Sequence, residues 1–281
     1  FALQLLHDGA EQRHAKFWSG DDSKPRNRAF LRQQLGLNYL RTEWNDAQPE
    51  ILFDGQFLVG GTAIVDQAIP LIRNIRWPVA RHPAPQLGNV TTVWGEGLLM
   101  QSREPNDRLV IIIPDADESV ESVAGLTSQA GPGTVLARQL VNSGCSVVVV
   151  QLVSREVMRH GHVELSQREY LHRAAFELGV TLTGYEVATI ERLVDCMAAK
   201  KTALIGFGEG GRIALLTTAL DDRIDATVVS GYFGPRDLCW QEPLERNLYG
   251  VHERWADAEL AAMAAPRSVW IDTSTQYHVG L

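Results

Sequence analysis

The residues that decide the fold are Thr202 to Leu220, T-A-L-I-G-F-G-E-G-G-R-I-A-L-L-T-T-A-L. Thr202 to Phe207 predicts a short buried strand, and Gly206 to Gly211 supplies a glycine-rich turn. Ile213 to Leu220 is apolar nearly all round, as a helix packed under a sheet requires. Upstream, Arg108 to Pro114 (R-L-V-I-I-I-P) and Ser146 to Leu152 (S-V-V-V-V-Q-L) are runs rich in β-branched residues, which suit strands covered on both faces of a parallel sheet. Between them Val135, Leu136, Leu140 and Val141 recur at helical spacing, and Asn142-Ser143-Gly144 provides the stop. Tyr185 to Ala199 places Val187, Ile190, Leu193, Val194 and Met197 on one face of a further helix, while Ala226 to Ser230 and Val269 to Ile271 supply two more strands. This alternation predicts an open α/β fold with a mostly parallel sheet and helices on both faces. Ligands in such sheets bind beyond the carboxyl ends of the strands, so the loops after Ile113, Leu152, Phe207, Ser230 and Ile271 carry the candidate chemistry.

Outward from this core the signals weaken. Ile75 to Val79 and Val90 to Met100 read as strands separated by a loop containing Pro83 and Pro85, with a bulge or turn at Gly95 and Gly97. Phe1 to Leu40 carries apolar residues at helical spacing, such as Phe17 and Trp18, then Phe30, Leu31 and Leu35, which predicts two short helices. Trp44 to Pro70 has irregular spacing and predicts no particular element. The expected organisation is a helical N-terminal segment over residues 1–70 followed by an α/β domain over 71–281.

Composition removes several function classes. The 281 residues are 45% hydrophobic, 21% charged and 7% aromatic, enough to bury a large core. The longest apolar runs, Leu109 to Ile113 and Val147 to Val150, fall far short of the roughly 18 to 20 residues that cross a bilayer, so no membrane span is expected. Twenty-six Lys and Arg against 34 Asp and Glu leave a net charge of -8, which argues against a nucleic-acid partner. Cys145, Cys196 and Cys239 show no C-x-x-C spacing, so neither a disulfide framework nor a metal cluster is expected, and no cofactor is implied. The default compartment is the cytoplasm, and an export signal would lie upstream of Phe1.

The turn Ile205 to Arg212, I-G-F-G-E-G-G-R, fits two templates. Gly206, Gly208 and Gly211 satisfy G-x-G-x-x-G, in which helix N-terminal N–H groups receive a pyrophosphate. That template asks for an acid at the end of the next strand, which instead ends Val229-Ser230-Gly231-Tyr232, and it places Glu209 against the phosphates. Alternatively, Gly206-Phe207-Gly208-Glu209-Gly210 matches the strand-turn-helix elbow G-x-S-x-G in all but its centre. Gly208 then occupies the nucleophile's position, where no side chain exists to form an acyl-enzyme.

Several runs carry a family resemblance. Arg108-Leu-Val-Ile-Ile-Ile-Pro-Asp-Ala-Asp117, Arg168-Glu-Tyr-Leu-His-Arg-Ala-Ala-Phe-Glu-Leu-Gly179, Gly184-Tyr-Glu-Val187, Gly206-Phe-Gly-Glu-Gly-Gly211 and Val229-Ser-Gly-Tyr-Phe233 resemble bacterial α/β-hydrolases of the acetyl xylan esterase and dienelactone hydrolase type. Trp240-Gln-Glu-Pro243, Arg246-Asn247 and Ala258 to Arg267 continue the similarity, which covers about residues 70 to 275. It is strongest toward a branch frequent in planctomycete-like bacteria whose elbow likewise reads G-Tyr/Phe-G-E-G-G. The resemblance implies an α/β-hydrolase fold, an elbow after Thr202 to Phe207, and an oxyanion loop around Pro114 to Asp117. It places the two oxyanion donors on the backbone N–H groups of Glu209 and a residue near Ala116. It puts the acid of the triad at Asp272. His278 follows too soon after Asp272 for the intervening strand and helix, so the last strand and the histidine loop are expected beyond this chain. The expected ligand is a small ester or carbohydrate, and a serine-less elbow implies either a pseudoenzyme that binds without turnover or an unconventional hydrolase.

Each remaining candidate has a plainer reading beside it. Glu209 is either a carboxylate nucleophile or base replacing serine, or a residue that caps and lines the turn. Asp115 and Asp117 bracket the oxyanion loop, where two carboxylates oppose a developing oxyanion unless a metal or Arg compensates; as solvated loop residues they need no function. Ser230 offers a hydroxyl at a strand end but no base beside it in sequence. Tyr232 is a pocket candidate on the same loop, and Trp240, Tyr249 and Trp255 are candidates for a pocket lid or for packing. Arg236 could bind a carboxylate ligand, or pair with Asp237 or Glu242. His160-Gly161-His162 has metal-compatible spacing but too few ligand types nearby, which favours a surface loop.

Overall fold

Strand β4 (Arg108–Ile113) shows how the sheet is covered. Its residues Leu109, Ile111 and Ile113 enter one apolar cluster, and Val110 and Ile112 enter another, the period-two alternation of a strand buried on both faces. The structure, a computed structural model, describes residues 12–40, 48–55, 71–84, 89–102, 104–127, 132–236 and 239–273. Within them lie β1 (Glu50–Gly55), β2 (Leu71–Ala84), β3 (Asn89–Gln101), β5 (Ser146–Val150), β6 (Val157–His160), β7 (Val163–Ser166), β8 (Lys201–Phe207), β9 (Ile224–Ser230) and β10 (Ser268–Asp272). The longer helices are α1 (Ser23–Leu35), α2 (Pro132–Asn142), α3 (Gln167–Glu177), α4 (Leu182–Met197), α5 (Glu209–Leu220) and α6 (Asp257–Ala264).

Eight strands form one sheet in the order β1-β2-β3-β5-β4-β8-β9-β10. β5, β4, β8, β9 and β10 run parallel, and β1, β2 and β3 are joined antiparallel at one side. The chain passes from β4 to β5 on one flank and then returns to β8 on the other, so the strand order reverses around β4. The crevice beyond the carboxyl ends of β4 and β8 is therefore where such a sheet leaves room for chemistry. One face carries α1, α4, α5 and α6 over Ile111, Val148, Leu204 and Val229; the other carries α2, through Ala137 and Val141, over Ile112, Val149 and Ile205.

The predicted alternation is present, with differences at the periphery. Leading residues 50–55, where irregular spacing gave no element, form β1 at the sheet edge, so the stretch before residue 71 contains a strand as well as helix. The bulge lies on β2, where register shifts between Pro78 and Ala80, and not at Gly95 or Gly97. Proline has no N–H for the ladder and is tolerated beside a bulge. Gly95 is instead a close-approach site, because a Cβ there would stand 2.6 Å from the Trp77 ring. The surface loop expected at His160-Gly161-His162 is the turn of a two-stranded hairpin, β6 and β7, with Gly161 at a φ of 66°; the flanking strands were not predicted. Its strands are mostly exposed, so they lack the buried face by which periodicity announces a strand.

Candidate functional site

Parallel pairing of β4 with β8 sets Ile113 beside Gly206, so Asp115 and Gly208, each two residues further on, emerge together at the carboxyl edge. Gly208 has φ 53° and ψ -116°, a conformation that disfavours any side chain. Cβ atoms at Gly206 and Gly210 would run into the Gly210 backbone and the Ile113 carbonyl respectively, which is the steric demand of a tight strand-to-helix elbow. The N–H of Gly208 donates to the Ser230 carbonyl at 2.9 Å, fixing the turn to β9.

Asp115 fills this elbow. Its Oδ1 accepts the backbone N–H of Glu209 at 2.8 Å and that of Ala116 at 2.9 Å, and receives Arg155 Nη2 at 3.0 Å. The two donors expected for an oxyanion thus converge on one point, and a carboxylate of the same chain occupies it. A Cβ at position 208 would lie 2.6 Å from Asp115 Cγ and 2.7 Å from its Oδ1. The expectation of a solvated Asp115 is corrected: its side chain is 12% exposed, against 62% for Asp117. The compensating charge is Arg155, whose Nη1 also binds Asp117 at 3.0 Å. Burial and the Asp115 charge together push the neighbouring Glu118 carboxyl up.

Glu209 is buried, its side chain 1% exposed. Its Oε2 receives Arg246 Nε at 2.7 Å and Arg155 Nη2 at 3.3 Å; its Oε1 receives Arg212 Nη1 at 3.2 Å and stands 3.4 Å from Arg168 Nη2. Burial alone would raise its pKa, but Arg212, Arg168 and Arg246 outweigh it and hold the carboxyl down at about 2. The side chain neither caps the turn nor faces open solvent, because four guanidinium groups satisfy it inside the protein. Arg168 is itself fully buried and forks onto Glu186 of α4 at 2.7 and 2.9 Å while donating to the Val153 carbonyl at 2.9 Å. Arg212 reaches Thr183 at 2.8 Å and the Arg246 carbonyl at 2.7 Å. The cluster therefore ties α3, α4, the start of α5 and the turn at residues 244–246 to the loop after β5.

These arginines were not identified as site residues from the sequence, although Arg168, Arg212 and Arg246 stand in its motif runs. A usable signal was present: 22 of the 26 basic residues are arginine. Arginine offers the planar fork that buried carboxylates require, and lysine does not.

The other candidates separate. Asp272 ends β10 in register with Ser230, whose hydroxyl donates to its Oδ2 at 2.9 Å. His278 lies outside the described residues. Tyr232 sits under Arg236 and Arg246, 4.4 and 5.7 Å from their guanidinium carbons, and burial pushes its phenol up. Trp240 and Tyr249 are exposed, whereas Trp255 is fully buried. Trp255, Tyr232 and Arg236 line a cavity of about 90 Å³ beside α5. Arg236 pairs with Asp257 and Glu242, while Asp237 is outside the described residues. His160 stacks on Tyr170 with centroids 3.8 Å apart, and among the described residues no group of three or more metal-ligating side chains gathers. Nor, among them, is any helix long and apolar enough to cross a membrane.

The sequence matches no protein-family model and no curated protein. Solved structures do match. A protein from Bacteroides fragilis assigned as an acetyl xylan esterase superposes with a TM-score of 0.68 at 15% identity, over 96% of this chain and 73% of that one. A glucuronoyl esterase from Solibacter usitatus gives 0.56 at 13% identity, over 89% and 73%, and a methylesterase gives 0.56 at 16%, over 94% and 55%. With the strand order and the elbow, these likenesses establish that the chain has the α/β-hydrolase fold.

Proposed function

We propose that this protein is a relative of carboxylic ester hydrolases of the acetyl xylan esterase type that does not run a serine acyl-enzyme mechanism. The observation that carries the reading is the Asp115 carboxylate lying on the N–H groups of Glu209 and Ala116, in the space a side chain at position 208 would need. An acyl substrate needs both a nucleophile at the elbow and free donors for its oxyanion. Here the first is glycine and the second are spent. The esterase names of the structural neighbours point to a small or carbohydrate ester as the ligand class of the ancestral cleft.

Two other readings lose support from the same geometry. Glu209 is a poor nucleophile, being buried and held by four guanidinium groups with its carboxyl at about 2. A nucleotide pyrophosphate would require the helix N-terminal N–H groups that Asp115 takes, and would meet that carboxylate.

The test is hydrolysis of a short-chain nitrophenyl ester by the full-length protein, together with covalent labelling by a fluorophosphonate. Wild type and Gly208→Ser are expected to be inert, the second because its new Cβ meets Asp115. The double variant Asp115→Gly/Gly208→Ser is expected to become labelled at position 208. Turnover of the ester by wild type, or its labelling by the fluorophosphonate, would defeat the proposal; loss of that turnover in Glu209→Gln would not by itself identify the nucleophile, because the substitution also breaks a buried ion cluster.

A further inference from the structure

The chain between β9 and α6, from Tyr232 to Trp255, folds against α5 and leaves the cavity of about 90 Å³ between them. Asp115, Gly208 and Glu209 are not in its lining, so it is separate from the elbow. Leu215 of α5, Leu248, Trp255 and Leu260 of α6 give it apolar walls, and Arg246 and Tyr232 bring polar atoms to it. The Arg246 side chain is 8% exposed, and its Nε is committed to Glu209 at 2.7 Å. Its Nη1 and Nη2 donate no hydrogen bond among the described residues, and neither nitrogen is sealed from solvent. Glu242 Oε2, which also lines the cavity, stands 3.9 Å from Nη1, beyond hydrogen-bond reach, which puts the open end of the fork on the cavity side. The Tyr232 hydroxyl likewise bonds to nothing among the described residues, and burial keeps it a protonated donor. A nearly buried guanidinium thus faces a small, largely apolar space with half of its donors unused.

We infer that this cavity binds a short-chain monocarboxylate, its two oxygens on Arg246 Nη1 and Nη2 and its alkyl end on Leu215, Leu248 and Leu260. The planar fork presents parallel N–H groups at the spacing of carboxylate oxygens, and a buried donor without an acceptor costs free energy that such a ligand recovers. Charge points the same way. Arg236 is answered by Asp257 and Glu242, whereas Arg246 shares Glu209 with Arg155, Arg168 and Arg212. The two acids in the lining are therefore already neutralised, and the charge left to an incoming anion is that of Arg246. Phosphate or sulfate would turn polar oxygens onto the leucines, and an amide supplies one acceptor oxygen where the fork offers two donors. Size sets the chain length: an apolar cavity of about 150 Å³ takes benzene, so about 90 Å³ takes roughly four heavy atoms, the size of acetate, with propionate the upper fit. The inference does not rest on the elbow and holds whether or not the protein cleaves esters.

The experiment titrates the full-length protein with propionate and follows its methyl resonance by saturation-transfer NMR, with propionamide as the neutral isostere. Propionate is expected to saturate with a Kd of about 1 mM or below, and propionamide to bind at least about tenfold more weakly. Arg246→Lys keeps a cation for Glu209 but loses the fork, and Leu248→Phe fills the cavity from outside the Glu209 cluster. Each is expected to weaken propionate at least about tenfold. Thermal unfolding establishes that the variants are folded, and Leu248→Phe tests the cavity if Arg246→Lys is not. Equal affinity for propionate and propionamide would overturn the role of the fork, and unchanged affinity in folded Leu248→Phe would overturn the location. Displacement of propionate by an equimolar amount of inorganic phosphate would overturn the ligand class. No saturation by about 50 mM propionate would overturn the site itself.

Discussion

Replacing Glu209 by glutamine removes one negative charge from among four guanidinium groups while keeping the shape. The carboxyl is held at about 2 against an ordinary value of 4.5, equivalent to about 3 kcal/mol at neutral pH. At 1% exposure the side chain is not screened by solvent, and removing one partner of a buried ion pair independently suggests about 3 to 5 kcal/mol. For a chain of this size the expected loss in Tm is roughly 6 to 12 °C. The folded pKa lies below the unfolded one, so this stability is fully present above about pH 5 and is lost as pH falls toward 2. The difference between wild type and Glu209→Gln, read by urea unfolding, should therefore shrink to roughly half by about pH 3. A Tm loss under about 2 °C at pH 7, or a deficit that stays constant down to pH 3, would refute the reasoning.

Two further perturbations probe the same region. Arg168→Leu leaves Glu186, Glu209 and Glu245 short of a buried guanidinium and should cost about 3 to 5 kcal/mol, measured by chemical denaturation; a loss below about 1 kcal/mol would show the fork to be dispensable. Gly208→Ala should destabilise wild type more than it destabilises Asp115→Gly, since its Cβ meets Asp115 Cγ, with a coupling of about 1 to 3 kcal/mol in a double-mutant cycle. Additive effects would mean that the two residues do not compete for space.

Much of the fold was legible because its signals are local. Ile111 and Ile112 lie in an unbroken apolar run, and such runs belong to strands covered on both faces. The α2 stop at Gly144, at φ 89°, and the elbow glycines are equally local. The strand β1 was not, because Ile51 and Leu52 remain exposed at an edge and produce no alternation. At the site, the N–H groups of Ala116 and Glu209 were singled out only by the family resemblance, and both reach Asp115. That occupant was not legible, since it depends on β4 and β8 being neighbours in register, a fact of topology between residues 93 apart in sequence (208 minus 115). The burial of Glu209 was hidden for the same reason: an acid in the first turn of a helix ordinarily faces solvent, and only the convergence of distant arginines draws it inward.

That convergence bears on how long the native protein lasts once formed. Arg155 and Arg246 lie 54 and 37 residues from Glu209 in the chain, so the cluster closes only when the loop after β5, α3 and the turn at 244–246 have all docked on α5. Contacts that need so many segments docked are expected to form late in folding, so Glu209→Gln should speed unfolding far more than it slows folding, which urea-jump kinetics check. About 3 kcal/mol on the unfolding limb would be roughly a hundredfold in rate, so the variant is expected to be cleaved by proteases and inactivated by heat correspondingly faster than wild type.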